Sequence, residues 1–120
     1  MPGNNELRER LSRYREVKLS VVGRKSGKTI TVPVWQVLEG HKLYLLPVHG
    51  SDTQWYRNML KNRQIRIDVR GAERKLEGTP ITEASEVQAV IEKFRKKYGS
   101  QDVKKYYSKF DVAVLAPLDR

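Results

Sequence analysis

The sequence predicts a small α+β domain: a six-stranded antiparallel split β-barrel with helices packed outside. Three observations carry that expectation. Apolar residues alternate with period two over several short stretches, the mark of half-buried strands. The remaining patterned segments repeat near 3.6 residues and read as helices packed outside the strands. The 120 residues suffice for one core and leave little room for a second.

The elements follow in order. Residues 6 to 16 place Leu7, Leu11 and Tyr14 on one helical face among Arg8, Arg10, Arg13 and Arg15. This predicts a basic amphipathic helix within residues 1–16, set beside a barrel at 17–120. Such a helix either caps the core or lies on a lipid surface. Val17, Leu19 and Val21 alternate with Lys18 and Ser20 as a first strand. A basic tip, Gly23-Arg24-Lys25-Ser26-Gly27-Lys28, precedes a second strand from Thr29 to Leu38 that is rich in β-branched residues. Pro33 cannot donate to a ladder and marks an edge or bulge there. After the turn at Glu39-Gly40-His41-Lys42, a third strand spans Leu43 to Val48. Asp52 is read as the cap of a helix reaching about Asn62, with Trp55 and Met59 on one face. Gln64 to Arg70 alternates as a fourth strand, turns at Gly71-Ala72 and returns as a fifth through Lys75 to Ile81. Thr82, Glu83 and Glu86 open a helix whose stripe is Val87, Val90, Ile91 and Phe94, and Gly99 stops it. A shorter helix near 101–107 and a buried strand at 111–115 complete the order.

Composition narrows the chemistry. Without cysteine there are no disulfides, thiolate metal sites or cysteine nucleophiles, and two histidines are too few for a histidine-rich metal centre. No metal site is expected. The first sixteen residues lack an apolar signal region and no run of eighteen apolar residues occurs, so the expected location is the cytoplasm, with a peripheral contact to the inner membrane face through the first helix as an option. The net charge of +10 draws anions: nucleic acid, acidic headgroups or a polyanionic cofactor.

Two segments carry candidate binding chemistry. The tip ending in Gly27-Lys28-Thr29 is not a phosphate loop of the Walker kind, because Val22 stands where that loop needs glycine and a strand, not a helix, follows. It remains a hairpin tip with three cations and a hydroxyl, suited to a phosphate or carboxylate, or else a solvated basic turn. The stretch Leu46-Pro47-Val48-His49-Gly50-Ser51 leaves a strand and enters a helix, where free N–H groups favour an anion or a ring carbonyl. Tyr98, Tyr106 and Tyr107 offer phenols as proton donors or as packing. No serine-histidine-acid set or carboxylate pair is evident, which argues against hydrolysis.

Taken together, Gly23-Arg24-Lys25-Ser26-Gly27, Pro33-Val34-Trp35, Leu46-Pro47-Val48-His49-Gly50-Ser51 and Trp55-Tyr56-Arg57-Asn58 resemble the deazaflavin-dependent nitroreductase family over Val17 to Pro117. The resemblance implies a split barrel of the flavin-mononucleotide-binding kind and hydride transfer from reduced coenzyme F420 to a small-molecule acceptor such as a quinone, nitro-aromatic or enone. FMN is the alternative cofactor. It assigns Arg24, Lys25 and Ser26 to the phosphate and acidic tail, and Ile30, Thr31, Val32, Pro33, Val34 and Trp35 to the ring and side chain. Leu46, Pro47, Val48, His49 and Gly50 would meet the ring through backbone groups, while Gln54, Trp55, Tyr56, Arg57 and Asn58 close the site. Trp35, Tyr98 and Tyr106 would serve the reaction itself. Of the tyrosine cluster that family members reducing bulky nitro-imidazoles carry, only part is retained around Tyr98. A homodimer is kept open as a partner state. A nucleic-acid-binding barrel is the rival from another class, though strand-face aromatics for stacking are sparse, Trp35 and Tyr44 alone.

Overall fold

The computed structural model describes residues 2–118, with side chains from Glu6 onward. Period two becomes strand wherever the sequence shows it. β1 (Glu16–Val22) buries Val17, Leu19 and Val21 and exposes Lys18. β2 (Thr29–Glu39), β3 (Lys42–Leu45), β4 (Gln64–Val69), β5 (Ala72–Glu77), β6 (Thr79–Ile81) and β7 (Ala113–Pro117) complete a curled antiparallel sheet. Its order is β5-β4-β1-β2-β3-β7-β6. The helices are α1 (Pro2–Arg13), α2 (Gln54–Lys61), α3 (Ala84–Tyr98) and α4 (Ser100–Tyr106).

The expected count of six strands is corrected to seven. The stretch read as one fifth strand is two: β5 pairs with β4, and β6 pairs with β7 at the opposite edge of the sheet. Gly78 is the hand-over between them. A Cβ on Gly78 would stand 2.5 Å from Met59 Sδ, so a side chain there would push α2 outward. The Gly78 N–H donates instead to the Arg63 carbonyl at 2.8 Å. Joining the two edge strands end to end turns the sheet into a curled half-barrel and shortens the unpaired backbone an open sheet would present.

Two apolar layers hold the sheet. Inside the curl, Leu19, Leu43, Leu45, Ile65, Ile67 and Val114 pack with Leu7 and Leu11 of α1 and with Trp55 and Met59 of α2. Outside, Val87, Val90, Ile91, Phe94 and Val103 cover Val37, Leu46 and Ala113. The first helix lies earlier than expected, and Leu7 and Leu11 are 1% and 0% exposed, so its apolar face caps the core and is not available to a lipid surface. Among the described residues, no helix is long and apolar enough to cross a membrane.

The junction after α1 explains where that helix stops. Gln36, wholly buried on β2, donates from Nε2 to the carbonyls of Leu11 at 2.8 Å and Tyr14 at 3.1 Å. Lys97 Nζ reaches Leu11 O at 3.3 Å and Gln36 O at 2.9 Å. These donors satisfy carbonyls that a helix end leaves open and place positive charge at the negative end of the helix dipole. Burial, reinforced by Arg15, lowers the Lys97 amine to about 8.

Candidate functional site

The hairpin between β1 and β2 and the start of α2 face each other across a groove of about 500 Å³. Local sequence builds the hairpin tightly. The Gly23 N–H donates to Lys28 O at 2.8 Å, the Gly27 N–H to Gly23 O at 2.9 Å, and Ser26 Oγ accepts the Lys28 N–H at 3.1 Å. Gly27 takes φ +74°, a conformation glycine adopts without penalty. The groove's polar side comes from Arg24, Lys25, Ser26, Gln54 and Asn58 and its apolar side from Ile30, Val32 and Trp55. No carboxylate is among the residues that line it.

Arg24 is held. Its backbone N–H and its Nη1 donate to Asn58 Oδ1, at 3.1 and 2.7 Å, and its Nη2 donates to Gln54 Oε1 at 2.9 Å. Gln54 and Asn58 are one turn apart on α2 and therefore present their oxygens side by side. Thus Arg24, Lys25, Ser26, Ile30, Val32, Gln54, Trp55 and Asn58, eight of the residues singled out from sequence, come together around one groove.

The others are placed differently. Val34 lies in the inner core, whereas strand alternation sends Thr31, Pro33 and Trp35 to the opposite face of β2. Thr31 there shares a hydroxyl pair with Ser20 at 2.8 Å. Tyr56 is buried, and Arg57 pairs with Asp52 at 2.9 Å. α2 begins after Thr53, not Asp52, because Asp52 is engaged by Arg57 and by Lys109 at 3.0 Å and a single 3-10 turn (Gly50–Asp52) precedes the helix.

Around that turn the structure shows a clamp the sequence did not reveal. Ser51 donates to Asp111 twice, from its N–H at 2.9 Å and its hydroxyl at 2.5 Å. His49 Nδ1 lies 2.7 Å from Ser108 Oγ, and the Ser108 N–H donates to Val48 O at 2.8 Å. Partial burial works against ionisation of Asp111, but the Ser51 hydroxyl and amide outweigh it and hold the carboxyl below its usual range. An internal carboxylate therefore already occupies the amide that was expected to greet a ligand. Leu46 and Pro47 are buried, Leu46 within the outer apolar cluster. Nothing in spacing joins Ser51 to Asp111, sixty residues apart.

Trp35 is the centre of an aromatic stack. Tyr98 lies 4.3 Å from it on one side at 11° and Tyr106 4.5 Å away at 20°, with the Arg15 guanidinium 5.3 Å from the indole centroid. Tyr98 is 4% exposed. Its hydroxyl accepts the Gln36 N–H at 3.0 Å and directs its proton to the carbonyls of Arg15 and Gln36, each 2.7 Å away. Burial pushes its phenol up to about 12, eased slightly by the backbone of Gln36. A phenol so committed holds β2 and α3 together. Tyr98→Phe is expected to cost about 1–3 kcal/mol, because the buried Gln36 N–H loses its acceptor; equal urea midpoints for variant and wild type would refute this. Tyr106, 39% exposed, is the member of the stack open to solvent.

Fold and groove together define a small split-barrel protein with a cationic pocket between its first hairpin and its second helix. The chain belongs to the family described as "Uncharacterized protein conserved in bacteria (DUF2255)", which it matches over residues 7–113. No curated protein sequence matches it. Among solved structures, it is similar to an F420-H2 dependent reductase (FDR-A), with a TM-score of 0.66 and 19% identity, covering 85% of this chain and 93% of that one. The haem storage protein HutZ from Vibrio cholerae aligns with a TM-score of 0.71 and 17% identity, over 97% of this chain and 90% of HutZ. A candidate pyridoxamine 5'-phosphate oxidase from Listeria innocua aligns with a TM-score of 0.68 and 11% identity, over 95% and 90%. At these identities the likeness establishes the shared fold.

Proposed function

We propose that the protein is an oxidoreductase that binds a phosphate-bearing flavin-type coenzyme in the hairpin–α2 groove, with deazaflavin F420 as the first choice and FMN as the alternative. The observation that carries this reading is the groove itself, in which a fixed guanidinium, an exposed ammonium and a hydroxyl stand opposite Trp55, Ile30 and Val32 without a competing carboxylate. That donor set suits a ligand with an anionic end and a flat apolar end. Likeness of fold to an F420-H2 dependent reductase supports the same choice. Arg24, Lys25 and Ser26 would hold the phosphate, and Trp55, Ile30 and Val32 would exclude water from the apolar part. When bound, a reduced deazaflavin supplies a hydride from a ring carbon. Quinones, nitro-aromatics and enones are the acceptor classes proposed, and because Tyr106 stacks on Trp35 across β2 from the groove, water supplies the proton that follows the hydride.

Tryptophan fluorescence titrations with F420, FMN and riboflavin test the reading. F420 and FMN are expected to quench Trp55 saturably and to lose affinity as salt rises, whereas riboflavin, which lacks the phosphate, binds more weakly. Reduced F420 should then be consumed when menadione is added. If riboflavin matches FMN, or none of the three binds, the groove is not a phosphate-anchored coenzyme site.

A further inference from the structure

Arg24 could stand at the hairpin tip as a mobile surface cation, but it does not. Asn58 Oδ1 accepts from both its backbone N–H and its Nη1, and Gln54 Oε1 accepts from its Nη2. Asn58 is 4% exposed, whereas Lys25 on the same tip is exposed. One buried oxygen thus pins the main chain and the side chain of the same residue. A guanidinium carries five N–H donors in a rigid fork, so two side-chain bonds to α2 still leave donors for an anion while fixing the plane in which they lie.

We infer that Asn58 is a positioning residue: from the wall of the groove it presets the Arg24 guanidinium for the phosphate of the coenzyme, with Gln54 as the lesser partner. This rests on the coenzyme reading above. Fixing the fork in advance removes rotamer entropy that binding would otherwise have to freeze, so Asn58 acts on affinity through Arg24 alone. The effect belongs to the anionic end of the ligand and not to its ring.

Three measurements on the full chain decide it. In the free protein, hydrogen exchange of the Arg24 amide should quicken at least about tenfold in Asn58→Ala, since its acceptor is gone. FMN affinity should fall about tenfold in the same variant with riboflavin affinity unchanged, and that fall should vanish when Arg24 is already Ala. If Asn58→Ala does not fold, Gln54→Ala, at an exposed position, should reproduce a smaller loss confined to FMN. Unchanged Arg24 exchange overturns the inference, as does an equal loss for FMN and riboflavin, which would mark Asn58 as a general support of the fold. Failure of wild type to bind FMN or F420 sinks the coenzyme reading instead, and the exchange experiment still reports whether Asn58 fixes Arg24.

Discussion

Gly50→Val is expected to destabilise the protein by about 3 kcal/mol or more, among the larger single-site effects available to this fold. Gly50 is buried with φ +55°, a region a β-branched residue almost never occupies. A Cβ there would also collide with the Asp111 carboxylate and lie 3.0 Å from Lys109 Cγ. The resemblance implies a coenzyme ring against this backbone, but a side chain at Gly50 would meet Asp111 first. Loss of activity in Gly50→Val would therefore report a broken clamp before it reported a displaced ring. His49→Ala, which gives up one exposed bond to Ser108, should stay within about 1 kcal/mol of wild type. Urea unfolding of both variants separates the cases. Removing the Asp111 side chain alongside Gly50→Val should recover part of the loss, because the collision goes and the strain stays. A Gly50→Val protein that melts like wild type would show that the turn can re-form without its left-handed residue.

Replacing Arg24 and Lys25 together by Ala should weaken FMN or F420 binding by about 3 kcal/mol, on the order of a hundredfold, since each charge-assisted bond contributes about 1.5–3 kcal/mol. The difference should be largest at low ionic strength and shrink as salt screens the exposed Lys25. Stability should change little by comparison, because neither side chain belongs to the apolar core. Calorimetric titration at two salt concentrations measures both quantities. Wild-type affinity in the double variant would reduce the tip to a solvated turn.

The strands were legible because burial on one face imposes alternation, and the sequence alternates wherever β1, β2 and β4 run. The helical stripe of α3 was legible for the same reason at a different period. Gly78 was not: as the only glycine between Lys75 and Ile81 it reads as a flaw in a strand, and only the path across the sheet shows that pairing partners change there. The basic hairpin tip stood out by its residue chemistry, whereas Gln54, Trp55 and Asn58 of α2 were singled out only through the resemblance, and the structure sets both beside one groove. Trp35 was placed with them by resemblance, but alternation along β2 sends it to the other face, into the stack with Tyr98 and Tyr106. Asp111 escaped notice because the carboxylate and its partner meet only after the whole sheet has formed.

The place of β7 has a consequence for how the chain is made. β7 begins at Ala113 yet lies between β3, which ends at Leu45, and β6. A nascent chain emerging from the ribosome exposes β3 while the strand that pairs with it is still unsynthesised. The free edge of β3 then presents bare backbone, and Leu43 and Leu45 lack their neighbour Val114. During that interval the growing polypeptide is open to pairing with the wrong partner, a second copy included, and a holdase chaperone has its clearest target there. Substitutions that slow the arrival of Ala113 to Pro117 should therefore show first in yield of soluble protein, before any change in the finished molecule's melting point.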